Sequence, residues 1–303
     1  MSPERHDVLI AGTGPAGMTA AVYARRFGLN TVVFGDTPGG NLYMIEKIDN
    51  LPGYMDGVGG TEFGMRLFQQ AQIGGAQFTM SRIERLGHDN SLFHCTDSNG
   101  QTRSAPVAIL ATGRMPVGLE VENRHLKGVH HCSLCDGPLY RNTNATLAVI
   151  GSSNAAAQHV MTLSRIAEKV LLLYRSEKAQ MDYSHQERIA GLKNVEVRSG
   201  TEILAYKGLD LIEALEVRSG DGKTTEIPVD GVFAAIGWLP NTRCLDFSVK
   251  MTQDGYIQTD SRLMTSVPGL FAAGDVRNTD MYQVLTGCAD GARAAKHAAD
   301  FLG

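Results

Sequence analysis

Five cysteines in a chain of 303 residues, at positions 95, 132, 135, 244 and 288, are too few and too scattered to staple a fold together. No apolar run approaches the ~20 residues of a membrane-spanning helix. Basic residues are not in excess either, since 28 Lys and Arg against 32 Asp and Glu leave a net charge of −4. The first lack excludes a disulfide-scaffolded secreted domain, the second argues against a membrane role, and the third against nucleic acid as main partner, because phosphate binding needs a basic face. Met1-Ser2-Pro3-Glu4-Arg5-His6 leads straight into a strand-like run without the apolar stretch of a signal peptide, so a cytoplasmic protein is expected. What the chain does have is glycine, 34 residues of it, and length enough for two domains at roughly 100–200 residues each.

The glycines cluster where the backbone must turn tightly or approach a ligand. Asp7-Val8-Leu9-Ile10-Ala11 is an apolar run too short for a helix, followed by Gly12-Thr13-Gly14-Pro15-Ala16-Gly17, a helical pattern from Met18 to Phe27, and a second buried run, Thr31–Phe34. Gly-x-Gly-x-x-Gly alone is a weak signal. Placed between a strand and a helix, with Asp36 about 20 residues beyond the last glycine, it has the context of a dinucleotide-binding turn. Gly12 then makes the turn, Gly14 admits a pyrophosphate, Gly17 lets the helix pack on the strand, and the helix N-terminus offers its N–H groups to the phosphates. A weaker copy follows: a strand Thr146–Ile150, the turn Gly151-Ser152-Ser153-Asn154-Ala155-Ala156, a helix predicted from Gln158 to Ala167, and a strand Val170–Tyr174.

The fold class is therefore α/β, with two Rossmann-like dinucleotide-binding domains. Strands ending in Gly113 and Gly237 are followed by Pro116 and Pro240, which suggest the joins. The tail carries a strand at Leu270–Ala273, then Gly274-Asp275, then a helix from about Gln283 to Leu302. If it returns to the first domain, residues 1–116 with 241–303 form one domain and residues 117–240 are inserted into it.

Only Cys132 and Cys135 lie close together. In a reducing compartment a lone Cys-x-x-Cys is redox-active or metal-binding more often than structural. His130-His131-Cys132-x-x-Cys135 offers up to four ligands on paper. Adjacent histidines rarely converge on one ion, however, and no second Cys-x-x-Cys is present, so no metal is expected. Cys95, Cys244 and Cys288 read as small buried hydrophobes.

Taken in order, Gly12 to Gly17, Gly39-Gly40-Asn41-Leu42, Asp49-Asn50-Leu51-Pro52-Gly53, Ala111-Thr112-Gly113, Cys132-Ser133-Leu134-Cys135-Asp136-Gly137 and Gly274-Asp275-Val276 resemble the low-molecular-weight thioredoxin reductase family along essentially the whole chain. The resemblance implies three-layer ββα domains, FAD in the first of them, and a homodimer. It implies that Asp275 binds the ribityl or ribose region, that Asn41 and Asn50 lie beside the flavin, and that Gln283 reaches the ring. Gly12, Gly14, Pro15, Ala16, Gly17, Asp36, Gly40, Leu42, Ile83, Thr112, Gly113, Gly274, Tyr282 and Val284 complete the cofactor set. It further implies that Cys135 faces the isoalloxazine, that Cys132 attacks the partner disulfide, and that Asp136 is the acid or base, a role that burial could tune by raising the carboxyl toward working pH.

The second nucleotide site departs from the family pattern. Ser153 replaces the middle glycine. Tyr174-Arg175-Ser176-Glu177-Lys178-Ala179-Gln180 stands where NADPH-dependent members carry His-Arg-Arg-x-x-x-Arg, leaving Arg175 alone. Two lost charge-assisted contacts, ~1.5–3 kcal/mol each, disfavour NADPH. NADH is not clearly favoured, because Glu177 sits late for the ribose hydroxyls. Gln158-His159 replaces a pair of glutamates, and Tyr282 an arginine, where its ring could cover the flavin face that nicotinamide would use. The expected activity is an FAD-dependent disulfide oxidoreductase acting on thioredoxin or a thioredoxin-like protein, with NADH, ferredoxin or a reduced flavin as donor. A flavin-dependent dithiol oxidase using oxygen and a non-catalytic flavin-binding module are the alternatives.

Overall fold

The computed structural model describes residues 4–45, 47–48, 50–89 and 91–303; Met1 to Pro3, and Asp49 of the Asp-Asn-Leu-Pro-Gly motif, lie outside them. The chain divides into two units: one runs up to Met115 and resumes at Leu239–Gly303, and the other is Pro116–Trp238. These crossings fall one and two residues ahead of the joins that the prolines suggest. The reason is that Pro116 and Pro240 end the strands of a short ribbon, Arg114–Pro116 beside Trp238–Pro240, rather than following it.

In the first unit a parallel sheet runs in the order Leu270–Ala272, Val107–Leu110, Val8–Ala11, Thr31–Phe34, Gln77–Phe78. Its central strands are buried at every position, as they must be when both faces are covered. Alternate residues show what covers them. Val8, Ile10, Val33, Val107 and Ile109 pack with Met18, Ala20, Ala21 and Ala24 of the helix Pro15–Arg26 and with Ala294, Ala295 and Ala298 of the helix Val284–Leu302. Leu9, Ala11, Val32, Phe34, Ala108 and Leu110 pack instead with Leu86, Phe93, Cys95 and Ala105. Those belong to an antiparallel meander, Ile83–Asp89, Leu92–Asp97 and Thr102–Ala105. The result is three layers: meander, parallel sheet, helices.

The second unit repeats the plan. Its parallel sheet runs Val129–His130, Gly231–Ala234, Thr146–Ile150, Lys169–Leu173, Val195–Arg198. Leu147, Val149, Val170 and Leu172 face the helix Asn154–Leu163, while Ala148, Ile150, Leu171 and Leu173 face the antiparallel strands Glu202–Lys207, Ala214–Arg218 and Thr224–Pro228. The helix begins four residues before its apolar periodicity does. Ser153 is extended and takes the N-cap position, so Ala155, Ala156 and Ala157, strong helix formers, fall in the first turns. The first unit's helix likewise starts at Pro15, whose missing N–H costs nothing at the first helical position. Among the described residues no helix is long and apolar enough to cross a membrane.

Candidate cofactor cradle and redox site

At the carboxyl ends of the first unit's strands, Gly12 turns with φ +121°, and a Cβ there would lie 2.1 Å from the Ala111 carbonyl oxygen. A Cβ on Gly17 would lie 1.9 Å from the Gly12 oxygen, so the helix enters against bare backbone. Gly14 is different. The nearest protein atom to a Cβ there is the Gly39 oxygen at 4.0 Å, so nothing in the protein requires a glycine at this position. No side chain caps the helix that Gly14 opens, and its first turn holds no acid. An uncapped helix end next to open backbone suits a phosphate.

Other residues singled out from the sequence gather around this turn. Gly39 donates its N–H to the Thr13 oxygen at 2.8 Å, and a Cβ on Gly40 would stand 3.1 Å from the Gly14 Cα. Gly274 touches Ala16, where its Cβ would come within 2.8 Å of that side chain. Asp275 follows in a 3-10 turn with its carboxylate 3.3 Å from Arg114 Nε. Burial pushes the Asp275 carboxyl up, and the Arg114 charge partly opposes this. Asn41 donates to the Arg114 carbonyl at 2.6 Å, and Asn50 donates to the Gln283 side-chain oxygen at 2.9 Å. Gln283 caps the last helix reciprocally with Thr286, and Val284 begins it. Tyr282 carries the Arg114 guanidinium over its ring at 3.8 Å.

Four members of the expected set are engaged elsewhere. Thr112 is locked to Asn241, its hydroxyl donating to the Asn241 oxygen at 2.6 Å and its own carbonyl accepting at 2.9 Å. Leu42 is buried in the helix-side core, and Ile83 packs against the meander-side core. Asp36 is exposed after its strand and accepts from the Thr37 hydroxyl at 3.1 Å. Arg114 was missed by the sequence reading. The only signal for it was a base directly after Ala-Thr-Gly, and its acidic partner lies 161 positions away. The residues present fit a dinucleotide: a glycine-lined cradle at a helix N-terminus, with a half-buried carboxylate beside it.

The second unit holds the thiols. Cys132 and Cys135 form a disulfide across 5.3 Å between Cα atoms. Cys132 is extended and serves as N-cap of the four-residue helix Ser133–Asp136, and its Sγ accepts the Cys135 N–H at 3.2 Å. Both cysteines are half-buried, and Leu134 between them is exposed. Asp136 is buried at 7% exposure and faces His130, with Oδ2 3.4 Å from Nδ1. The His130 Nε2 lies 2.8 Å from the Tyr140 hydroxyl, and its ring stacks on Phe233 at 4.9 Å. His131 approaches the Ala234 oxygen at 3.3 Å, and burial lowers it below the usual imidazole range. His159 accepts the Ser133 N–H at 3.2 Å, and burial pushes it down to about 4. The histidines are therefore divided among separate partners. Among the described residues no group of three or more His, Cys, Asp or Glu comes together as a metal site. Cys95 and Cys244 are raised well above the ordinary thiol range by burial.

The second glycine turn is covered by its own chain. Gln180 donates its N–H to the Ser152 oxygen at 2.8 Å, Asp182 donates its N–H to Asn154 Oδ1 at 2.8 Å, and Asn154 Nδ2 donates back to the Asp182 carboxylate at 2.9 Å. Arg175 is exposed.

Comparison with known proteins places these two sites in context. Residues 6–298 match the family model described as pyridine nucleotide-disulphide oxidoreductase. The chain is 35% identical over 302 residues to a thioredoxin reductase of Treponema pallidum, covering 98% of this chain and 97% of that one. Among solved structures it is similar to the thioredoxin reductase of Streptococcus pyogenes, with a TM-score of 0.90, 28% identity and 99% of each chain covered. It is also similar to the atypical thioredoxin reductase TRi of Desulfovibrio vulgaris Hildenborough, with a TM-score of 0.53, 29% identity, and 98% of this chain and 97% of that one covered.

Proposed function

The chain belongs to the pyridine nucleotide-disulphide oxidoreductase family, in its thioredoxin reductase branch, and from that premise we propose an FAD-dependent enzyme that reduces thioredoxin or a thioredoxin-like protein through Cys132 and Cys135, using a donor other than tightly bound NADPH. The observation that carries this reading is the closed Cys132–Cys135 disulfide with the buried Asp136 on the same short helix.

The Gly12–Gly17 cradle would hold FAD, which would supply two electrons at a time. The disulfide accepts two electrons and two protons to become two thiols, and Asp136 is the group placed to handle a proton. The N–H of Cys135 on the Cys132 sulfur favours thiolate at Cys132, which suits that residue to attack a partner disulfide. Its attack forms a mixed disulfide and releases one partner thiol. Cys135 then attacks the Cys132 sulfur, closing the internal disulfide and releasing the second partner thiol.

The donor reading rests on the second turn. Ser153 in place of glycine, a single guanidinium at Arg175, and the Asp182 carboxylate tied to the first residue of the helix all work against a dinucleotide phosphate there. NADH, ferredoxin or a reduced flavin would then be the electron source. That a solved relative is itself described as atypical is consistent with departure from the common pattern. The resemblance also implies a homodimer, which sedimentation would test.

Anaerobic mixing of the purified holoenzyme with NADPH, NADH or reduced ferredoxin, following flavin bleaching, tests the donor; rapid bleaching by micromolar NADPH would reject it. Dithionite titration tests the disulfide. Four electrons per FAD are expected, falling to two in Cys135→Ser, and an unchanged count of two in both would remove the disulfide from the reaction.

A further inference from the structure

Asp136 does not stand alone. Its carboxylate meets His130 Nδ1 at 3.4 Å, and the far nitrogen of that ring is engaged by Tyr140 at 2.8 Å. The ring is clamped flat against Phe233 and edge-on to Tyr140. These contacts fix one imidazole between a carboxylate and a phenol, both of them beside the thiol helix in sequence and in space. A carboxyl alone holds a proton only to about pH 4, whereas an imidazole holds one to about 6.5.

We propose that His130 is a positioning residue for the disulfide chemistry: paired with Asp136 and oriented by Tyr140, it relays to Asp136 the proton that Asp136 delivers when the disulfide opens. This rests on the reading of Asp136 as the proton-handling group. When a two-electron reductant attacks one sulfur of the Cys132–Cys135 bond, the other sulfur leaves as thiolate. His130 passes its proton to Asp136, which delivers it to that sulfur, and solvent reprotonates the imidazole. The other titratable groups facing His130 do not compete. Tyr140 is a phenol at Nε2, His131 just past the strand end is lowered by burial, and His159 across the Phe233 ring, pushed down to about 4, is neutral at working pH. No Lys or Arg is among its aromatic, hydrogen-bond or ion-pair partners in the described contacts.

The test avoids the electron donor altogether. Oxidised holoenzyme is reduced with tris(2-carboxyethyl)phosphine, in which one phosphine and one water become phosphine oxide while the disulfide becomes two thiols. Opening of the pair is followed by alkylation and mass spectrometry from pH 5 to 9. Rates are divided by those of Asp136→Asn at each pH, which removes the reductant's own titration. Wild type is expected to keep an advantage of at least about tenfold over Asp136→Asn through pH 7. His130→Gln should lose most of that advantage at pH 7 and recover it only toward the acid end of the range. Tyr140→Phe, which keeps the ring and loosens only its orientation, should show a smaller loss of the same sign. His130→Gln/Asp136→Asn should equal Asp136→Asn. A His130→Gln profile parallel to wild type, or a further loss in the double variant, overturns the inference. Should His130→Gln not fold, a Tyr140→Phe profile identical to wild type overturns it equally. If Asp136→Asn itself equals wild type at every pH, the reading of Asp136 fails first, and that outcome is distinct from the others.

Discussion

The two glycine turns of this chain have the same place in the same kind of domain and differ in what they leave open. Gly12 and Gly151 are interchangeable in role. Both have positive φ, +121° and +145°, and a Cβ on either would strike a carbonyl of the neighbouring strand's extension, at 2.1 Å from Ala111 and 2.4 Å from Ala235. The third position is Gly17 in one turn, where helix and strand backbones touch, and Ala156 in the other, where a methyl fits. The middle position separates them. Gly14 has no protein neighbour that demands it, so it is free to answer to a ligand, while Ser153 fills that place and the segment 180–182 is hydrogen-bonded across the turn. The first glycine of such a turn thus belongs to the fold, and the second is one the fold does not require. Loss of the second leaves the architecture standing while altering what it binds.

Breaking the shared part should cost most. Gly12→Ala places a methyl inside a carbonyl at a backbone angle that alanine disfavours, so a loss of more than about 3 kcal/mol, or failure to fold, is expected in urea denaturation. The units should next separate in acid. His159 titrates at about 4 in the folded chain against 6.5 in the open chain, so its contribution to stability is complete above pH 6.5 and is lost as pH falls toward 4. The loss is on the order of 2 kcal/mol by pH 4.5. The single tryptophan, Trp238, lies in the same unit, so its fluorescence in flavin-free protein should report the loss and His159→Gln should abolish it. The helix Pro15–Arg26 of the other unit carries no histidine and no acid.

Converting one turn toward the other is a smaller change. Gly14→Ser should leave the melting profile of the apoprotein within about 0.5 kcal/mol, since there is room for the side chain. FAD affinity should fall at least about tenfold, near 1.4 kcal/mol, read by flavin fluorescence on titration into apoprotein. Equal loss of fold and flavin would erase the distinction between the two glycines. Smallest of all, Asp182→Asn removes one carboxylate beside a helix start, worth about 0.3–1 kcal/mol, and should raise binding of adenine dinucleotides to the second unit two- to fivefold by calorimetry.

The parallel sheets were legible because fully buried strands read as unbroken apolar runs next to glycine turns, as in Val8–Ala11 and Thr146–Ile150. The meanders were not read, although Leu92–Asp97 alternates half-buried and buried residues strictly. Apolar Leu92 on a half-buried position and polar Asp97 on a buried one disguise that period. The cysteine helix was visible as a motif, but the contacts that define its surroundings are not local in pattern. His130 meets Asp136 and Tyr140 only because a strand end, a single helical turn and a 3-10 turn fold back on one another. Asn50 and Gln283 meet across 233 positions, a distance no spacing rule covers.

The lock between Thr112, Gly113 and Asn241 has a consequence for how the gene can be cut. The Asn241 N–H donates to the Gly113 oxygen at 2.9 Å, and the two Thr112–Asn241 bonds stand beside it. The points where the polypeptide leaves and re-enters its first unit are therefore already adjacent, so the entire second unit is, in topological terms, one very long loop. A splice with a residue or two between positions 113 and 241 spans no gap, and it defines a minimal first domain that keeps all three of its α-helices, Gly60–Ile73 among them, and all five strands of its parallel sheet.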